Sequence, residues 1–146
     1  MVMLFRNIMV PYDGSKLARH AFKVALEMAG THRSKITVVT CIGKYYSGSW
    51  YVDSRIADQD FKRQYKAAKA EHLELEKMAE ESGIQFGSKI IQESKTAKGL
   101  SDYAKEQKID LIAMGSHGRT GWSKMILGSV ASGVLQTVKC PVLIVR

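Results

Sequence analysis

The chain has 146 residues, 45% of them hydrophobic and 25% charged, with a formal net charge of +8. That balance is ordinary for a soluble globular chain and is enough for one domain, 1–146, with a core of its own. No apolar run approaches the ~20 residues a membrane helix needs. The opening stretch MVMLFRNIMVPYDG is broken by Arg6 and Asn7, stops at Pro11 and lacks a signal-peptide pattern, so a cytoplasmic location is expected. Cys41 and Cys140 lie far apart and neither belongs to a CxxC, so they are expected to be buried thiols rather than zinc or redox ligands. The positive charge fits polyanionic partners, from nucleotides to RNA. Its densest group, Lys62, Arg63, Lys66 and Lys69, shares its segment with Glu71, Glu74, Glu76, Glu80 and Glu81. That is the pattern of a solvated helix face, not of a nucleic-acid footprint.

Leu4–Val10 is a candidate strand ending at Pro11. Leu17, Ala21, Val24, Ala25 and Met28 then recur at helical spacing, with Gly30 as the expected stop. Ile36–Ile42 is β-branched and predicts a second strand. Residues 43–57 fit neither period. They read as a loop carrying Tyr45, Tyr46, Trp50 and Tyr51, either a flap over a site or rings packed on an edge or a partner subunit. Asp58–Ser82 predicts the longest helix, with a stripe of Phe61, Tyr65, Ala68, His72, Leu75 and Ala79 and a stop at Gly83. A lone histidine on such a stripe is expected to be packed rather than catalytic. Ile84–Ile91 is a third strand. Thr96–Gln107 is a helix with Leu100, Tyr103 and Ala104 inward, and Ile109–Met114 is a fourth strand. Val130, Val134, Leu135 and Val138 mark a last helix, and Cys140–Val145 a fifth strand. Strands alternating with crossover helices predict an α/β, doubly wound parallel sheet covered on both faces. In such a sheet ligands bind beyond the carboxyl ends of the strands, where the strand order reverses.

Two strand ends carry candidate chemistry. Asp13, in Pro11-Tyr12-Asp13-Gly14-Ser15, could accept hydrogen bonds from a ribose or base; Asp13 or Ser15 could instead merely cap the next helix. The second is GSHGRTGWSKMILGSV, Gly115–Val130, which holds four glycines and three serines in sixteen residues. Gly115 and Gly118 permit positive φ and close backbone approach. Gly128-Ser129 precedes the last helical pattern, whose N-terminal N–H groups suit phosphate, and Ser129 could donate a hydroxyl or serve as the N-cap. The loop matches neither GxxxxGK[ST] nor GxGxxG.

Its spacing, Gly115-x2-Gly118-x9-Gly128-Ser129, resembles the G-x2-G-x9-G-[ST] signature of the ATP-binding branch of the universal stress protein family. The resemblance spans the chain, from Ile8-Met9-Val10-Pro11-Tyr12-Asp13-Gly14-Ser15 to the closing CPVLIVR. It implies a five-stranded sheet in the order 3-2-1-4-5 with an adenine nucleotide, ATP above all and carried with Mg2+, between the ends of strands one and four. Pro11, Tyr12 and Asp13 would lie in the binding set, Pro11 and Asp13 on the adenine and ribose side. Cys41 stands where the family usually has valine, whose backbone meets the adenine. Met114, Gly115, His117 and Gly118 would surround the ribose and first phosphates, and Gly128, Ser129 and Val130 the outer phosphates. The resemblance also implies a homodimer, paired through the last strand, 141–146.

The residues favour a binding module over a catalyst. His117 could act as a base or simply touch the nucleotide, and Arg119 and Lys124 could neutralise phosphate or face solvent. Asp13 has no second carboxylate near it in sequence for a magnesium site. The leading expectation is a cytoplasmic ATP-binding stress-response module. A slow ATPase or nucleotidyl transferase and a nucleotide-free dimer module are the alternatives.

Overall fold

The computed structural model describes residues 5–43, 54–118 and 126–146. Along these the chain forms β1 (Asn7–Pro11), α1 (Lys16–His32), β2 (Lys35–Ile42), α2 (Ser54–Glu81), β3 (Gln85–Gln92), α3 (Thr96–Glu106), β4 (Leu111–Gly115), α4 (Ser129–Thr137) and β5 (Val142–Val145). The strands form one parallel sheet in the order β3-β2-β1-β4-β5. Ile8 of β1 stands opposite Ile36 of β2 on one side and Leu111 of β4 on the other. The chain winds outward from β1 in one direction and from β4 in the other, so the order reverses between these two strands.

The alternation of side chains along each strand divides the core into two layers. Ile8, Val10, Ile36 and Val38 face Phe22 and Ala25 of α1 and Leu75 of α2. Met9, Val39, Ile112 and Met114 face Leu100 and Ala104 of α3 and Ala131 and Val134 of α4. Both faces of β1 are therefore apolar, as a central parallel strand requires. Phe22, Ile8 and Leu75 lose all exposure, which stabilises the fold by about 1.5–3 kcal/mol for each side chain. The edge strand β3 is more polar, with Gln85, Ser88, Lys89 and Gln92 exposed, a composition that discourages further strand pairing on that side.

Several expectations need correction. Helix α1 runs through Gly30 and ends at His32, where Arg33 takes the left-handed conformation at φ 55° and its N–H closes on the Ala29 carbonyl. Its buried face is Ala18, Ala21, Phe22, Ala25 and Ala29, while Leu17, Val24 and Met28 are only half-buried. Helix α2 begins at Ser54, ahead of Asp58, and its stripe is fully buried only at Ala68, His72, Leu75 and Ala79. Toward its start Phe61 and Tyr65 pack on each other at 5.9 Å, with the Lys69 ammonium over the Tyr65 ring. Gly83, at φ +68°, stops this helix as expected. Strands β4 and β5 begin later than Ile109 and Cys140, and Leu135 points outward. Both cysteines are free but half-buried rather than buried. The aromatic stretch Tyr45–Tyr51 lies outside the described residues. None of the described helices is long and apolar enough to cross a membrane.

Candidate functional site

A cavity of about 500 Å3 opens at the carboxyl ends of β1 and β4, where the strand order reverses. The residues expected in the binding set come to it from four parts of the chain. Pro11, Tyr12 and Asp13 come from the end of β1 and Cys41 from β2. Met114, Gly115, His117 and Gly118 come from the end of β4, and Gly128, Ser129 and Val130 from the start of α4. The structure thus gathers every residue that the sequence placed in the binding set. Among the residues it adds are Val39, Thr96, Leu100 and Ser116, which sequence reasoning missed. Two of these had a periodic signal. Val39 shares a strand face with Cys41, two residues on, and Leu100 follows Thr96 by one helical turn. Arg119, Ser123 and Lys124 lie outside the described residues.

The walls differ in chemistry. Val39, Leu100, Met114 and Ala131 belong to the apolar layer under α3 and α4 and form an apolar lining. Tyr12 borders the cavity, but its ring belongs to the opposite layer with Val10 and Phe22. Burial there raises the Tyr12 hydroxyl above its ordinary pKa, partly offset by a hydrogen bond with Arg19. Arg19 in turn reaches Glu74 of α2 at 3.1 Å. Burial likewise raises the Cys41 thiol, which donates to the Glu93 carbonyl at 3.7 Å. A protonated, engaged thiol is wall material, not a nucleophile.

The turn after β1 is held by its own side chains. Asp13 Oδ1 accepts from the Ser15 N–H at 2.9 Å, and Ser15 Oγ accepts from the Ala18 N–H at 3.1 Å, capping α1. Gly14, at φ +80°, lets the chain turn between them. Ser15 therefore does cap the helix and Asp13 supports that cap, and both residues border the cavity.

The glycines after β4 serve close approach, not positive φ, which none of Gly115, Gly118 and Gly128 adopts. A Cβ on Gly115 would stand 2.8 Å from Leu17 Cβ, so the residue lets α1 lie against the end of β4. A Cβ on Gly118 would stand 2.6 Å from Asp13 Oδ2. One on Gly128 would stand 3.0 Å from the Ser116 carbonyl, to which the Gly128 N–H donates at 2.7 Å. That bond fixes the start of α4 against the end of β4.

Gly128, not Ser129, is the N-cap of α4, and among the described residues no side chain caps this helix. The first intrahelical bond runs from the Ser132 N–H to the Gly128 carbonyl at 2.9 Å. The N–H groups of Ser129, Val130 and Ala131 precede it and carry the partial positive charge of the helix start. All three residues border the cavity. Beside them His117 Nδ1 lies 2.9 Å from Ser116 Oγ, and the buried His117 Nε2 has no partner among the described residues. The arrangement offers an apolar slot, a carboxylate at its mouth and a cluster of N–H donors at one end, which suits a ligand with a flat apolar part and an anionic tail.

The sequence model of the universal stress protein family matches residues 4–146. Universal stress protein MJ0531 of Methanocaldococcus jannaschii is 31% identical, over 98% of this chain and 83% of its own length. Universal stress protein YxiE of Bacillus subtilis is 30% identical, over 98% of this chain and all of its own. The solved structure of hypothetical protein MJ0577 superposes with a TM-score of 0.78 at 23% identity, over 97% of this chain and 96% of that one, and shows the same fold. Two further fold relatives were solved with nucleotides, a universal stress protein with cAMP (TM-score 0.70, 23% identity) and one from Archaeoglobus fulgidus with dAMP (TM-score 0.66, 19% identity). Sheet order, glycine spacing and full-length family match agree: the chain belongs to the universal stress protein family.

Proposed function

We propose that the cavity binds an adenine nucleotide, ATP in the first place, and that the protein is a nucleotide-dependent regulatory module of the cytoplasmic stress response. The observation that carries this reading is the start of α4 at Gly128, without a side-chain cap among the described residues, whose N–H groups border a cavity with an apolar slot. Val39, Leu100 and Met114 would flank the base, with Pro11 and Cys41 beside it. Asp13 would accept from ribose hydroxyls. Gly115, His117 and Gly118 would meet the first phosphates, and Gly128, Ser129 and Val130 the outer ones. Complexes of two fold relatives with cAMP and dAMP support the adenine part. Magnesium would arrive on the phosphates of the nucleotide. A homodimer through strand 141–146 belongs to the same reading, since β5 lies at the edge of the sheet with Val142, Leu143 and Ile144 half-exposed.

Calorimetric titration of the nucleotide-stripped protein with magnesium-ATP tests the proposal. Saturation at about one ATP per chain with a micromolar dissociation constant, or about −8 kcal/mol, is expected. A flat trace to millimolar ATP at two temperatures would overturn it. Sedimentation of the same sample at twice the mass of one chain is expected, and sedimentation at the mass of one chain would remove the dimer.

A further inference from the structure

Behind the wall formed by β1 and β2, three groups from separate elements line up. His72 of α2 is 3% exposed, and its Nε2 lies 2.7 Å from Thr40 Oγ1 of β2. Thr40 Oγ1 donates its only proton to the Tyr12 carbonyl at 2.8 Å. The hydroxyl can therefore only accept from His72, which fixes the ring as the Nε2–H tautomer. His72 Nδ1 is then a bare, buried acceptor, and it has no partner among the described residues.

A buried histidine with one orphaned nitrogen is a poor choice for stability alone, since desolvating that atom costs free energy that leucine would not. What the ring adds is direction. It orients the Thr40 hydroxyl, and the hydroxyl holds the Tyr12 carbonyl. That carbonyl and the Asp13 nitrogen belong to one rigid peptide plane. Asp13 in turn holds the Ser15 N–H through Oδ1 and lies with Oδ2 against Gly118. We propose that His72 is a positioning residue which, through Thr40, sets the Tyr12–Asp13 peptide and so aims the Asp13 carboxylate at the mouth of the cavity. This rests on the nucleotide reading given above. It couples α2, which borders no part of the cavity among the described residues, to the side where the ribose would sit.

The test uses the full chain with Thr40→Val, Thr40→Ser, His72→Leu and His72→Gln. Thr40→Val removes the hydroxyl at nearly constant shape and should weaken magnesium-ATP binding about tenfold, the scale of one lost hydrogen bond. His72→Leu leaves the hydroxyl but frees it to rotate, and should weaken binding about threefold while the thermal midpoint holds or rises. Thr40→Ser and His72→Gln restore a hydroxyl and an N–H donor and should bind like the parent. A purely structural role would order the variants by stability instead. Equal affinity across the series, or an Nδ1–H tautomer in the nitrogen NMR spectrum of the His72 ring, overturns the relay. Should the parent protein bind no ATP, the nucleotide reading fails and the relay is judged without ligand. Faster hydrogen exchange of the Ser15 amide in Thr40→Val then supports it, and unchanged exchange sinks it. If Thr40→Val does not fold, His72→Leu against His72→Gln decides by the same two readouts.

Discussion

Two strand-to-helix passages sit side by side at the cavity and solve the same problem in opposite ways. After β1 the chain satisfies the start of α1 from within, with Ser15 on the Ala18 N–H and Asp13 on the Ser15 N–H. After β4 the chain starts α4 at a glycine, with no side chain among the described residues to cap it. A helix start left without a cap costs stability unless water or a ligand takes the cap's place. The closed turn therefore reads as scaffold and the open one as receptor, although both border the same cavity. Experiments can break or sharpen that contrast by attacking one turn and reading both stability and binding.

The largest effect is expected from acid, acting on the closed turn through His72. Burial, and secondarily the charge of Lys69 on the same helix, push the His72 pKa down from 6.5 to about 4. Above about pH 7 both folded and unfolded chains hold this ring neutral, and its contribution is fully present. As pH falls from 6.5 toward 4 the unfolded chain takes up a proton that the folded chain refuses, so stability is lost through that window. The loss attributable to this ring reaches about 3 kcal/mol and then levels off. Denaturant melts of the parent and His72→Gln across pH 4–8 check this, because the difference between the two curves isolates the ring from the carboxylates. Parallel curves would show that His72 carries no such load.

Next comes the open turn. Ser129 is the first helical residue of α4, and Gly128 before it already has φ −60° and ψ 156°, the extended conformation that a following proline requires. Ser129→Pro therefore removes one backbone N–H at a position where proline is welcome. Binding of magnesium-ATP should fall about ten- to a hundredfold, the worth of a hydrogen bond to a charged group, at an unchanged thermal midpoint. Ser129→Ala, which keeps the N–H, should cost far less. This pair is cleaner than Gly118→Val, which the phosphate argument alone would suggest, because a side chain there would strike Asp13. Full affinity in Ser129→Pro would remove the open turn from the site.

How far these turns were legible from the sequence differs in an instructive way. The alternation of β-branched runs with helical stripes was enough for the element order, because each apolar period reports a buried face. The glycine spacing located the cavity. It did not give the reason for each glycine, since positive φ and close approach leave the same residue in the sequence and only the neighbours, Leu17, Asp13 and the Ser116 carbonyl, separate them. Gly30 misled in the reverse direction. It lies inside α1, and the stop falls to Arg33, which takes the left-handed conformation and closes its N–H on the Ala29 carbonyl. The Phe22 face was missed as well. Two apolar stripes overlap on α1, and only the packing against Ile8 and Val10 selects the one that is buried. The His72 relay was out of reach, because it joins the turn after β1 to β2 and α2 through residues whose spacing in sequence follows no period.

The smallest effect is expected at the cap of the closed turn. Ser15→Ala deletes the acceptor for the Ala18 N–H and should lower stability by about 1 kcal/mol, the usual cost of a lost serine cap. Asp13 still holds the residue-15 N–H in this variant, because that bond uses the backbone and not the serine hydroxyl. The carboxylate therefore stays near its place, and magnesium-ATP affinity should fall by less than about threefold, well under one lost hydrogen bond to charge. Ser15→Ala and Ser129→Pro then form a double dissociation, in which the first lowers the melting point and spares binding while the second does the reverse. A calorimetric melt and a titration on each variant read both axes. If Ser15→Ala instead weakened binding as much as Ser129→Pro, the hydroxyl that caps α1 would itself face the ligand, and the division into a scaffold turn and a receptor turn would have to be given up.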